Sequence, residues 1–256
     1  MLTWRLWRAL RNPDEDNRLF ERVQDQPVDV PGKAFLRPFA PLGRLLAVII
    51  PALVVVIAPA ALFLAANVLG ALVAFNIMST IQRERDQGTY DLLALTPMGL
   101  GRANWLIAEG CTQRINAIER LAQFRTLAII TLVLIIFYML RFGGLTALIT
   151  IAVIVAFNLD AIQSLIVGCL CGMLAQAFSE QGAPFAALAI FAGVQVLAAY
   201  LPVTAVAILL FDLLRRAFDN FLLADTLVAL LVLVLLFLLR EAVIRLMWRE
   251  LERRLL

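Results

Sequence analysis

The chain has 256 residues, 62% of them hydrophobic and only 16% charged, with a net charge of +3, whereas a soluble domain is nearer half apolar and a quarter charged. That balance excludes an ordinary soluble globule and points to a polytopic membrane protein. With no histidine there is no imidazole for zinc, general-base work or pH sensing. Three cysteines, Cys111, Cys169 and Cys171, make no disulfide framework and read as small buried apolar residues. No metal site is expected.

Charge concentrates in residues 1–44, 82–125, 212–225 and 240–256, leaving apolar blocks between. Near the start, Trp4, Leu6, Trp7 and Leu10 alternate with Arg5, Arg8 and Arg11 at spacings that predict a short amphipathic helix. Its aromatics suit the headgroup region and its arginines suit anionic lipid. The same arginines interrupt any signal-peptide core. Asn12-Pro13 ends the helix, and Asp14, Glu15 and Asp16 cancel the positive field, so nucleic acid is not an expected partner. Pro27, Pro31, Pro38 and Pro41 then predict an extended linker to residue 44.

Leu45 to Thr80 is apolar throughout and longer than the roughly 20 residues one helix needs to cross a bilayer. Lys33, Arg37 and Arg44 precede the block and Arg83, Arg85 and Arg102 follow it, so both flanks favour the cytoplasm and an even number of crossings. Two short or tilted spans broken near Ala65 to Asn67 are preferred, with one long helix as the alternative.

Directly after this block comes Gln82 to Pro97, charged and tightly punctuated. Gly88 can end the preceding helix at a left-handed cap, Thr89 can cap the next, and Pro97 forces Thr96 out of helical geometry. At most about seven residues of helix fit between. Tyr90, Leu92, Leu93 and Leu95 give it more apolar surface than a solvated loop needs, while Arg83, Glu84, Arg85 and Asp86 keep its root in water. The segment reads as a knob for a partner.

The order Glu84-Arg85-Asp86-Gln87-Gly88-Thr89-Tyr90-Asp91-Leu92-Leu93, with Leu95-Thr96-Pro97 after it, resembles the signature that follows the second membrane helix in ABC-2 type permeases. Those are the membrane subunits of one class of ATP-driven transporters. Asp86 and Asp91 stand where Glu is usual. The resemblance implies a cytoplasmic coupling helix that docks on a separate ATPase subunit through Glu84, Arg85, Asp86, Gly88, Thr89, Tyr90, Asp91, Leu92, Leu93, Thr96 and Pro97.

Met98 to Arg125 is polar enough to stay out of lipid. Ile107, Cys111, Ile115, Ile118 and Leu121 give it an apolar stripe, so it is expected to lie along the membrane surface or against a partner. Thr126 to Leu140 makes a third span. Leu145 to Phe178 is again too long for one upright helix, and Asn158, Asp160 and Gln163 inside it form a possible intramembrane polar site. At helical spacing Asp160 and Gln163 share a side that Asn158 does not. The run from Gly172 through Ser179, Glu180 and Gln181 to Pro184 reads as a cytoplasmic hairpin, similar to the second cytoplasmic contact of the same family. Pro184 to Phe211 makes a fifth span with Pro202 as a kink. Leu227 to Leu239 makes a sixth, and Arg240, Arg245, Arg249, Arg253 and Arg254 then hold the C-terminus in the cytoplasm.

The expected architecture is therefore all-α: a polytopic membrane bundle of about six spans, with an N-terminal interfacial helix and linker over 1–44, a transmembrane domain over 45–256, and a coupling segment over 82–125. The resemblance implies a permease subunit of an ATP-driven exporter in a prokaryotic plasma membrane, both termini cytoplasmic. The chain carries no Walker A loop, so ATP and Mg would sit on the partner ATPase. A second permease subunit, in a homodimer or heterodimer, would complete the path, and membrane lipid is the remaining partner. The alternatives are an ion-gradient-coupled carrier, motivated by Asp160, or a non-transporting membrane assembly subunit. An enzyme is not expected, since no base stands near Ser164 in sequence.

Overall fold

A computed structural model describes residues 1–12, 18–25, 64–94, 99–123, 144–177, 183–217 and 221–255, with positions 126, 129 and 133 besides. Among these residues every regular element is helical. The helices are α1 (Leu2–Arg11), α2 (Arg18–Gln24), α3 (Leu64–Asp86), α4 (Thr89–Ala94), α5 (Gly99–Arg114), α6 (Gly144–Leu174), α7 (Ala183–Ala217) and α8 (Phe221–Leu255). A shorter turn of helix over 117–123 follows α5. Two helices, α3 and the Ala183–Leu213 part of α7, are long and apolar enough to cross a membrane.

Ala65 to Asn67 lie in the first turn of α3, which runs unbroken from Leu64 to Asp86. Nothing in Ala65-Ala66-Asn67 stops a helix, and the Asn67 amide has a partner, the Tyr200 hydroxyl at 3.2 Å. Residues 45–63 lie outside the described residues. The run after Gly144 forms one helix, α6, of 31 residues and roughly 46 Å, longer than an upright span needs. Asp160, its only charge, is met by Arg240 of α8 and so does not break the helix. α5, by contrast, is not the expected surface helix with one apolar stripe. Every residue from Ala103 to Thr112 is buried, since α5 is wedged among α2, α3, α6 and α8.

α3 and α6 run side by side in the same direction. Gly70 meets Ser164 and Gly168, Gly172 meets Ala74 and Ile77, and Arg85 reaches Gln176. Small residues four apart on both helices, Gly168 and Gly172 against Gly70 and Ala74, let the backbones touch. α7 runs the opposite way along α3: Phe185 packs edge-on to Phe75, Phe191 covers Gly70, and Tyr200 reaches Asn67. α5 also opposes α3, pairing Cys111 with Thr80 and Arg114 with Asn76, and its Asn104 meets Tyr90 of α4.

Pro202 does not simply kink α7. The seven residues before Leu201, Val194–Tyr200, take a π-helical turn, and this wider ladder absorbs the donor that proline lacks and the bulk of its ring. The turn carries Gln195 and Tyr200 to α6 and α8.

The amphipathic α1 forms as expected and ends at Asn12, but its apolar side belongs to the core. Leu6 and Leu10 are buried there, while Trp4 stays exposed. The Leu2 N–H donates to Glu241 Oε1 at 2.8 Å and the Thr3 hydroxyl donates to the same carboxylate. All three cysteines are buried thiols, outside any disulfide.

Candidate functional site

Two polar assemblies stand out in a largely apolar chain. The first surrounds the segment from Glu84 to Ala94. α3 ends at Asp86 and the chain reverses through Gly88 at φ +68°, a conformation that favours glycine. α4 then runs for six residues. Thr89 does not cap it. Its hydroxyl turns back to Glu84, 2.5 Å from the carboxylate and 3.0 Å from the main-chain carbonyl, closing the end of α3 instead.

Nor is Glu84 in water as expected, for it is 1% exposed, with the Arg22 guanidinium of α2 3.1 Å away. Tyr90 is also buried, and its hydroxyl lies 2.6 Å from Gln176 Oε1 and 3.0 Å from Asn104 Oδ1. A phenol has one proton, so it donates to one of these amides and accepts from the other through its nitrogen. The Arg85 guanidinium covers the Tyr90 ring at 5.0 Å. The segment is therefore half knob and half root. Glu84, Thr89 and Tyr90 are engaged inside the chain, tying α4 to α2, α3, α5 and the end of α6, while Asp86, Gly88 and Leu92, which is 61% exposed, face outward. Asp91 and Leu93 lie on α4, and their side chains are not described; Thr96, Pro97, Ser179, Glu180 and Gln181 lie outside the described residues.

The second assembly is centred on Arg240 of α8, 1% exposed. Its Nη1 donates to the Asp160 main-chain oxygen at 2.9 Å and to Ser164 Oγ at 3.0 Å. Its Nη2 donates to Gln195 Oε1 and to the Tyr200 hydroxyl, over whose ring the guanidinium lies at 4.9 Å. The Asp160 carboxylate stands 3.0 Å from Nη1. Gln195 Nε2 donates to Ser164 Oγ at 3.0 Å, and Tyr200 joins the cluster to Asn67 of α3. One cationic centre thus fastens four helices. Asp160 and Gln163 face α8 from one side of α6, and Asn158 faces Trp7 and Arg11 of α1 from another, as the spacing predicts.

Sequence reasoning found Asp160 and missed its partners. Arg240 reads as the first of a row of cytoplasmic anchors, and nothing in its spacing distinguishes it from Arg245. The available signals were Gln195 and Tyr200, polar side chains within a largely apolar run.

Glu241, one residue past Arg240 and beyond the apolar run of α8, holds α1. Burial resists its ionisation, but the hydrogen bonds from Thr3, the Leu2 N–H and Arg245 outweigh this and hold the carboxyl below its ordinary range. A carboxyl lowered on folding contributes stability above its unfolded pKa, about 4.3, and that stability is lost as pH falls through the lowered value. Hydrogen exchange of the Leu2–Arg11 amides should therefore stay slow at neutral pH and accelerate below about pH 4. In Glu241→Gln it should be fast at pH 7; protection indifferent to both changes would show that α1 is held otherwise.

Comparison with protein-family models, with curated proteins and with solved structures yields no match for this chain.

Proposed function

We propose that the chain is the membrane-spanning permease subunit of an ABC-2 type exporter, passing the motion of a separate ATPase to its spans through α4. The observation that carries this reading is the divided geometry of the coupling segment. A helix with Leu92 exposed follows the positive-φ Gly88, and it is anchored by Tyr90 and Glu84 to α2, α3, α5 and α6. A load applied to Leu92 would reach four helices at once. The resemblance of Glu84 to Pro97 to the permease signature supplies the kind of partner. In this reading about six spans are embedded in the plasma membrane with both termini cytoplasmic. Two such subunits line the path, and ATP-driven closure of the ATPases moves α4 and re-packs the spans.

The Arg240 assembly weighs against an ion-coupled carrier, because the charge of Asp160 is already matched by a guanidinium fixed on four acceptors.

Co-purification with a co-expressed ATPase of this class tests the reading. Leu92→Asp with Leu93→Asp should cut the ATPase recovered by roughly tenfold or more, as loss of an apolar hot spot does. Gly88→Val should act similarly through strain at φ +68°, since open space there offers no steric cause. Both variants should keep the parent's thermal midpoint. Undiminished recovery with the double variant would place the docking surface elsewhere.

A further inference from the structure

α2 has seven residues and no place in the permease signature, yet α5 seats it closely. Phe20 and Val23 are buried, and a Cβ at Gly110 of α5 would stand 2.9 Å from Val23 Cγ1 and 3.4 Å from the Phe20 carbonyl oxygen. A side chain on α5 at that point would push α2 away. Arg114 of α5 also donates to the Val23 main-chain oxygen at 3.3 Å, one of the carbonyls that the end of a helix leaves open. α5 thus serves as a post from which α2 holds out Arg22.

The Arg22 guanidinium meets the end of α3 through one nitrogen. Its Nη2 stands 3.1 Å from Glu84 Oε1 and donates to Gln87 Oε1 at 2.9 Å. Gln87 precedes the hinge at Gly88, and the other Glu84 oxygen takes the hydroxyl of Thr89, the residue after it. Arg22, Glu84 and Thr89 therefore make a chain of polar contacts across the turn. A Cβ at Gly88 would meet nothing within 4 Å, so packing does not hold this turn.

The two partners of the ion pair differ in exposure: Glu84 is inaccessible, whereas the Arg22 side chain is 46% exposed. Among the described residues Arg22 is the one cation paired with Glu84. Its departure would leave a buried carboxylate facing the Thr89 hydroxyl alone, which is costly. Water reaches that carboxylate once Thr89 moves off it.

We propose that Arg22 is a releasable lock on the hinge at Gly88. While the guanidinium neutralises Glu84, α4 stays closed on the end of α3; when it leaves, hydration of Glu84 tilts α4 about its Tyr90 anchor. Arg22 is a positioning residue in this role, acting on α4 through Glu84. A half-exposed guanidinium gives up a carboxylate readily, as a part that must move requires. The motion governed by the lock rests on the permease reading; the lock itself is tested without the ATPase.

The test is hydrogen exchange in the full detergent-solubilised chain, read on amides 87–94, where the Gln87 and Gly88 N–H groups donate to the Arg83 and Arg85 carbonyls. Arg22→Ala should speed their exchange roughly tenfold, the worth of one charge-assisted hydrogen bond, with α2, α5 and the thermal midpoint unchanged. Arg22→Lys, which keeps the charge, should recover most of the protection. Raising salt from about 0.1 M to about 1 M should speed exchange in the parent and leave Arg22→Ala indifferent. In Glu84→Gln, which has no charge to strand, Arg22→Ala should add nothing. Exchange at the parent's rate in Arg22→Ala would overturn the lock. So would a lowered midpoint with faster exchange throughout α2 and α5, the mark of a structural prop, or a full tenfold effect in the Glu84→Gln background. Failure of the lock while Leu92→Asp with Leu93→Asp still loses the ATPase would leave the permease reading intact; the converse result would leave the lock intact.

Discussion

Replacing Arg240 by Met should destabilise the chain by about 3–5 kcal/mol, the cost of removing one partner from a buried ion pair. The side chain is nearly inaccessible and serves Asp160, Ser164, Gln195 and Tyr200 together. Its loss strands the Asp160 carboxylate and leaves three further polar groups without their common donor. Thermal unfolding of the detergent-solubilised chain gives the comparison. Arg240→Lys should recover only part of the loss, because an ammonium cannot present the planar fork that serves these acceptors. Removing both charges, Arg240→Met with Asp160→Leu, should restore most of it, as replacing a whole buried pair by apolar groups often does. Arg245→Ala is the internal control: its pair with Glu241 is 56% exposed on the arginine side and should be worth under about 1 kcal/mol. If Arg240→Met proved no worse than Arg245→Ala, the cluster would not be what joins α3, α6, α7 and α8.

The helical class, the amphipathic α1, the turn at Gly88 and the six-residue α4 were legible because each is encoded locally. Three arginines alternate with apolar residues in α1, a glycine sits at a left-handed position in the turn, and turn residues bound α4. The failures share one cause, that a polar residue in an apolar run takes its meaning from a neighbour distant in sequence. Asp160 suggested an ion site until Arg240, 80 residues on, made it half of a pair. Glu84 and Tyr90 passed for surface residues of a knob because Arg22, Asn104 and Gln176 could not be placed beside them. α5 was misjudged for the same reason, since its Asn104, Thr112 and Arg114 meet Tyr90, Cys169 and Asn76 and so tolerate burial on every side.

Gly168→Ala should cost about 1–3 kcal/mol, the range for overpacking a close contact, and Gly168→Val should cost more. A Cβ at Gly168 would lie 2.3 Å from the Gly70 carbonyl oxygen and 2.8 Å from its carbon. The atoms in the way are main chain, so no rotamer change relieves the clash and α3 and α6 must part. Gly193 gives the opposite sign. A methyl there meets nothing within 4 Å, and relief of glycine's backbone freedom should make Gly193→Ala neutral or stabilising by up to about 1 kcal/mol. The same thermal unfolding series decides between them, and equal effects at the two sites would mean that the glycine contact does not set the spacing of α3 and α6. The consequence reaches α4, because α3 leads into Gly88 and α4 while the helical turn that follows α6, Ala175–Ala177, carries the Gln176 that receives Tyr90. Separating the two helices at Gly168 pulls Tyr90 between an anchor on its own chain end and one just past α6. Exchange of the α4 amides should therefore accelerate in Gly168→Ala even though the substitution is made far from α4, whereas Gly193→Ala should leave it unchanged.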